Sequence, residues 1–102
     1  MSIIALNPYC KIDLNKRVIC RHGLSYSLSE IDYRIVELLV KNLGETVCTQ
    51  DLLSYAWSDF DQHKKEIVKV HILGIRKKIE TDFRNPQHVI TIFKVGYHLI
   101  KK

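Results

Sequence analysis

The chain has 102 residues, 46% of them hydrophobic, with a formal charge of +5 and a pI of about 9.2. That length supports one domain around one modest core and excludes two, and the apolar share excludes a disordered chain. The charge is lopsided: residues 1–50 hold six Lys/Arg against five Asp/Glu, and residues 51–102 hold ten against six. A basic excess confined to one half favours an anionic partner, nucleic acid first and an acidic membrane surface second.

The cysteines are Cys10, Cys20 and Cys48, an odd number with no CxxC pair. They read as reduced, mostly packed thiols of a cytosolic protein, and no second pair accompanies Cys20 and His22 at a spacing suited to zinc. The expectation is no metal and no cofactor. Apolar runs such as "IVELLV" fall far short of the ~20 residues that cross a bilayer.

Residues 1–28 hold the short apolar pieces "IIAL", "CKIDL", "RVIC" and "LSYSL", separated by Asn7-Pro8, Asn15-Lys16 and His22-Gly23. Alternation between turn formers predicts a small antiparallel meander with one solvated face. A helix follows, with Ser29 as N-cap, Glu30 and Asp32 in its first turn, and a stripe of Ile31, Ile35, Leu38, Leu39 and Leu43. Gly44 is expected at its C′ position. A shorter helix, "QDLLSYAW", is expected after Thr49 as N-cap.

The loop "SDFDQHK" then leads into a third helix over about residues 65–82, with Pro86 beyond its end. "HVITIF" and "GYHLI" read as a hairpin across Lys94-Val95-Gly96, spanning 88–100. The predicted class is α+β: an N-terminal antiparallel sheet over 1–28, three helices over 29–83 and a C-terminal β-hairpin, in one domain. Two close helices followed by a third and a hairpin are the order of a helix-turn-helix with a β wing.

The third helix opens on "KKEIVKVHILGIRKK", residues 64 to 78, basic at both ends and apolar between. At 100° per residue, Ile72, Ile75 and Ile79 fall within about 40° of Val68. His71 lies at the margin of that side and reads as a packed or capping histidine. The opposite side carries Glu66, Lys69, Val70, Leu73, Gly74 and Lys77, flanked by Lys65 and Arg76. An isoleucine side for the core and a lysine-rimmed side for a partner are thus expected on one helix. Apolar side chains can meet thymine methyls in a major groove while lysines hold phosphates. A protein partner or a second copy of the domain would also suit Val70 and Leu73.

From "LSEIDYRIVELLVKNLGETVCTQDLLSYAW" through "VKVHILGIRKKIE" to "VITIFKVGYHLI", the chain resembles the winged-helix DNA-binding domain of the OmpR/PhoB family. The most specific part is "VHIxxxRKKIE" with a terminal "GYHL", following "LL…W". The resemblance implies a transcription regulator, an activator, that binds double-stranded promoter DNA without catalysis. Its recognition helix would be the one at about 65–82, with Lys64, Lys65, Lys69, Val70, Leu73 and Lys77 on bases or nearby phosphates. Arg76, Gln50, Trp57 and Tyr97 would serve the DNA backbone, Thr91 would be a DNA-binding residue opening the wing, and Lys94 would lie at the wing tip. Asp59, Phe60, Asp61 and Gln62 would form a loop that meets RNA polymerase, and two copies would pair on DNA.

Two departures stand out. Family members commonly carry arginines at the positions of Leu73 and Gly74, and an arginine-glycine pair at that of Phe93-Lys94. Without them, weak guanine reading is expected, with dependence on A·T-rich sequence, shape and phosphate contacts. Because "MSIIAL" enters the first strand almost at once, the chain also resembles the cytoplasmic domain of ToxR-like or CadC-like activators. That implies a membrane segment after residue 102 and a sensor partner; a natural stand-alone domain, or an excised effector given a starting methionine, is the alternative. The competing function is a protein-interaction winged helix with little DNA binding of its own. An enzyme is disfavoured: Asp59, Asp61 and His63 share one loop with no nucleophile or metal set around them.

Overall fold

A computed structural model describes residues 2–57 and 65–102, with the side chain of Lys65 left out. Four short strands open the chain: β1 (Ile3–Asn7), β2 (Cys10–Asp13), β3 (Val18–Arg21) and β4 (Leu24–Ser27). They form an antiparallel sheet in the order β1-β2-β3-β4. The turns are set by local chemistry. Asn7 Oδ1 accepts the Tyr9 amide at 2.7 Å, and Asp13 Oδ1 accepts the amides of Asn15 and Lys16 at 3.0 Å each. His22 (φ +51°) and Gly23 (φ +80°) form the two-residue link between β3 and β4. Both are in the left-handed region, whose twist suits a tight hairpin.

Helix α1 (Glu30–Lys41) begins where Ser29 Oγ accepts the Asp32 amide at 3.1 Å. Its end differs from the expectation. The cap is Asn42, whose side-chain amide donates to the Leu38 carbonyl at 2.9 Å. Gly44 turns the chain two residues later, at φ +82°, and its N–H reaches the Leu99 carbonyl at 2.8 Å. Val36, missing from the expected stripe, is buried with Ile35 and Leu39, while Ile31, Leu38 and Leu43 are half-buried.

Two further expectations need correction. A two-residue strand, β5 (Val47–Cys48), precedes α2 (Thr49–Ala56), and Cys48 is the N-cap residue. Thr49 is the first helical residue; its N–H bonds the Val95 carbonyl at 3.0 Å, so it joins α2 to the hairpin and does not cap. Helix α3 (Lys65–Ile79) also stops earlier than residue 82. The buried carboxylate of Glu80 accepts the amides of Gln87, His88 and Val89 at 2.8 to 3.0 Å, which draws the chain away from the helix axis. Arg21 Nη1 donates to the Lys77 carbonyl and to that of Glu80, occupying helix-terminal acceptors.

The wing is β6 (Val89–Ile92) and β7 (Gly96–Leu99), and it is not a hairpin alone. With β5 it forms a three-stranded sheet in the order β5-β7-β6. Gly96 makes this possible. A Cβ there would overlap the Val47 carbonyl oxygen and lie 2.8 Å from Cys48 Cα. The core is one cluster: Leu6, Ile12 and Ile19 from the first sheet, α1 and α2 residues such as Leu39 and Leu52, the α3 isoleucines, and Val89 and Leu99 of the wing. Among the described residues, no helix is long and apolar enough to cross a membrane.

Candidate nucleic-acid interface

Helix α3 divides as its periodicity predicts. Val68, Ile72, Ile75 and Ile79 are buried against the rest of the domain. The other side is open: Glu66, Lys69 and Lys77 are exposed, Val70 is 68% exposed and Leu73 42%. Each buried isoleucine or valine contributes about 1.5–3 kcal/mol of burial, so the orientation of α3 is strongly fixed. Gly74 lies between Leu73 and Lys77 on the open side, and a Cβ built on it meets no atom within 4 Å.

His71 at the edge of the buried side does pack. Its Nδ1 lies 2.7 Å from Asp32 Oδ1, and its ring meets Trp57 edge-on at 5.3 Å between centroids. This ties α3 to the first turn of α1 and to the end of α2. Lys78 adds a bond from Nζ to the Ser27 carbonyl at 2.8 Å. Trp57 is half-buried against the core, and Gln50 is exposed in the first turn of α2, its amide 3.4 Å from Ser54 Oγ.

Arg76 joins α3 to the wing. Its Nε donates to the Val89 carbonyl at 3.0 Å and its Nη2 to Thr91 Oγ1 at 2.8 Å. The guanidinium also stands 5.9 Å from the centre of the Tyr97 ring. Arg76 was expected as a DNA-backbone contact and Thr91 as a DNA-binding residue opening the wing; in the fold they hold each other. The guanidinium keeps three of its five N–H donors beyond these two bonds. Tyr97 departs further from expectation. It is 6% exposed, and its burial raises the pKa of the phenol, against an opposing effect of Arg76. It forms a wall of the groove beside the wing, because its ring is taken up by the joint between β5, β7 and α3.

Between α3 and the wing lies a groove of about 540 Å³, lined by Thr49, Lys69, Thr91, Phe93, Lys94 and Tyr97 among others. At its outer end the wing turns through Lys94, which holds a left-handed φ of +63°. Lys94 Nζ stands 5.4 Å from the Phe93 ring centre, and Phe93 itself is 81% exposed. Val95 is exposed beside it. Lys69, Lys77 and Lys94 thus present cations on one side of the molecule, around a strip of apolar side chains. Lys64, Asp59, Phe60, Asp61 and Gln62 lie outside the described residues, and so does the side chain of Lys65.

Sequence reasoning missed Thr49 as a strut beneath the wing, and Gly96 as the point where β5 leaves β7 no room for a side chain. A glycine inside a β-rich run was the available signal for the second. The three cysteines are free thiols, and no cluster of His, Cys, Asp or Glu suited to a metal occurs among the described residues.

Residues 23–99 match the family described as "Transcriptional regulatory protein, C terminal". The ycf27 protein of Guillardia theta is 33% identical over 98 residues, which are 94% of this chain and 38% of that protein. The chain therefore spans well under half the length of the curated relatives it matches. Among solved structures, the response regulator DrrB of Thermotoga maritima, an OmpR/PhoB homologue, superposes with a TM-score of 0.85 at 28% identity, over 97% of this chain and 44% of that one. The DNA-binding domain of Klebsiella pneumoniae RstA, solved with the RstA box, shares the fold at a TM-score of 0.78 and 23% identity, over 98% of each chain. By its matched residues and its fold, this chain belongs to the OmpR/PhoB-type winged-helix domains of transcriptional regulatory proteins, a family of regulators and not of enzymes.

Proposed function

We propose that the chain is the duplex-DNA-reading module of a transcription regulator, with α3 in the major groove and the wing tip at the neighbouring backbone or minor groove. One observation carries the reading. The apolar side of α3 is sunk in the core, which leaves Lys69, Val70, Leu73 and Lys77 exposed along its length. A helix fits the ~12 Å major groove, and lysines on its rim meet phosphates on either side. Lys94 supplies a cation one groove away, and Arg76 adds the donors that its bonds to the wing leave over. The RstA domain's solution with its DNA box supports the same use of the shared fold.

The test is a titration of promoter-length duplex at several salt concentrations. Binding by the parent chain falls with salt at a log–log slope of about −0.9 per phosphate neutralised. The Lys69→Ala/Lys77→Ala double variant remains folded, binds more weakly and loses close to two such increments of slope. Unchanged affinity in that folded variant would refute the assigned face. Salt-insensitive association with a protein, and no duplex binding at micromolar concentration, would support the competing protein-interaction reading, which the exposure of Val70 and Leu73 favours.

The finer parts of the proposal concern partners. A loop at Asp59, Phe60, Asp61 and Gln62 would serve RNA polymerase, and tandem copies of the domain would share one DNA site. Attachment to a membrane through a segment beyond residue 102, with a sensor partner, draws on the resemblance to ToxR-like and CadC-like activators. A hydrophobic span encoded after Lys102 tests that arrangement directly.

A further inference from the structure

Gly74 is a residue the fold does not use. It lies inside α3, where glycine is disfavoured relative to alanine, and its backbone is not in the left-handed region. No atom of the protein comes within 4 Å of the Cβ that alanine would bring. Gly96 is the opposite case, since the backbone of β5 forbids any side chain there. Neither conformation nor internal packing explains Gly74, and its neighbours on the open side are Val70 and Leu73, 68% and 42% exposed.

The side chains of that strip, Val70 and Leu73, carry no hydrogen-bond donor, and Arg76 at its flank is turned to Val89 and Thr91 of the wing. The strip cannot make the bidentate arginine–guanine or amide–adenine contacts that usually read a base edge. Set against a G·C pair, it would strip water from polar base atoms and return nothing to them. The one major-groove feature that suits apolar side chains is the 5-methyl group of thymine. Cations at Lys69 and Lys77 border the strip, and Lys94 stands at the wing tip, which matches an anionic strand on each side of a groove.

We propose, on the basis of the DNA-binding reading above, that Val70 and Leu73 read thymine methyl groups and that Gly74 lets the backbone of α3 approach the groove floor closely enough for them to do so. The helix therefore selects A·T-rich sites by methyl contact, in addition to any selection by DNA shape.

The test begins by selecting duplexes from a random-sequence pool with the 102-residue chain. Each thymine of a selected site is then replaced by deoxyuridine, which lacks only the methyl. At the positions under α3 the replacement lowers affinity about fourfold per methyl, the worth of one buried methyl or methylene group. Leu73→Ala binds the thymine and uracil duplexes more nearly alike, losing at least one of those discriminations. Gly74→Ala raises Tm by about 4 °C and yet binds at least about fourfold more weakly, equivalent to one lost methyl contact.

Equal affinity of the parent for thymine and uracil sites would overturn methyl reading. A more stable Gly74→Ala that binds as the parent does would overturn the close approach. Self-association without DNA, abolished by Leu73→Ala and accompanied by no thymine–uracil difference, would reassign the strip to a second copy of the chain. Failure of the parent to bind any duplex is a different result, for it removes the DNA-binding reading on which this proposal rests.

Discussion

The open side of α3 and the wing face the same way and rest on one core, but the wing needs joints that the helix does not. The side chains that α3 presents, Lys69, Val70, Leu73 and Lys77, are exposed because the buried isoleucines behind them hold the helix. The wing also buries Val89, Tyr97 and Leu99 in that core, but it is further fixed by joints: Gly96 against β5, Thr49 beneath the Val95 carbonyl, and Arg76 across to Val89 and Thr91. Burial behind a helix leaves its front face open to change. A wing that adds polar joints and one steric fit to its burial uses up residues that sequence alone would assign to a ligand.

The largest expected effect breaks the wing and spares the helix. Gly96→Ala forces a Cβ onto the Val47 carbonyl, and only backbone separation of β5 from β7 relieves it. Clashes of this kind belong to the destabilising tail of point substitutions, so a loss of about 3 kcal/mol or more is expected, measured by urea or thermal unfolding. Gly74→Ala, with open space around it, moves stability the other way. A Gly96→Ala domain as stable as the parent would mean that β5 does not fix the wing.

Next is the joint itself. Arg76→Ala removes two bonds from a charged donor and costs about 1.5–3 kcal/mol for the pair, scaled down from the buried limit because the side chain is partly exposed. It also removes a candidate phosphate contact, so stability and DNA affinity fall together. Thr91→Val separates the two roles. It leaves the guanidinium charge and breaks only the bond at Oγ1, so a smaller stability loss is expected with a nearly unchanged salt slope. A Thr91→Val salt slope reduced as much as that of Arg76→Ala would show that the joint, and not the charge, matters for binding.

Smaller again is the wing tip. Lys94 holds a φ of +63°, a region where glycine is at ease and lysine is strained. Lys94→Gly should gain about 0.5–1 kcal/mol of stability while reducing the salt slope of binding by about 0.9. Opposite signs in unfolding and in duplex titration are the signature of a residue kept for its charge. A loss on both measurements would assign Lys94 to the turn's own stability.

The same contrast explains what the sequence could say. The four strands, three helices and hairpin were readable because each carries a local signal: Asn7 and Asp13 bond the next turn, Ser29 caps α1, and isoleucines recur at 3.6 residues in α3. The division of α3 into buried and open sides followed from that period. What was not readable depends on contacts distant in sequence. β5 is two residues long, too short for any pattern, and exists because β7 is alongside. The early stop of α3 comes from Glu80 reaching residues 87–89 and from Arg21 of β3. Arg76 and Thr91 were read as separate residues of two elements, because their bond to each other spans 15 residues and leaves no mark in either segment.

The finest probe of the joint is the ionisation of Tyr97. Burial raises its phenol pKa above the usual value near 10, and the guanidinium of Arg76 works against that rise. Because the folded pKa is raised, the contribution of the neutral phenol to stability is in full below the unfolded pKa. It is lost as pH climbs through the higher folded value. Removing the opposing cation in Arg76→Ala should therefore raise the Tyr97 pKa further, even though the joint is weaker. Alkaline difference absorbance, with a Tyr97→Phe chain to isolate the signal, follows it. A fall in the Tyr97 pKa in Arg76→Ala would mean that the ring had become solvated and that Arg76 closes the groove wall as well as charging it.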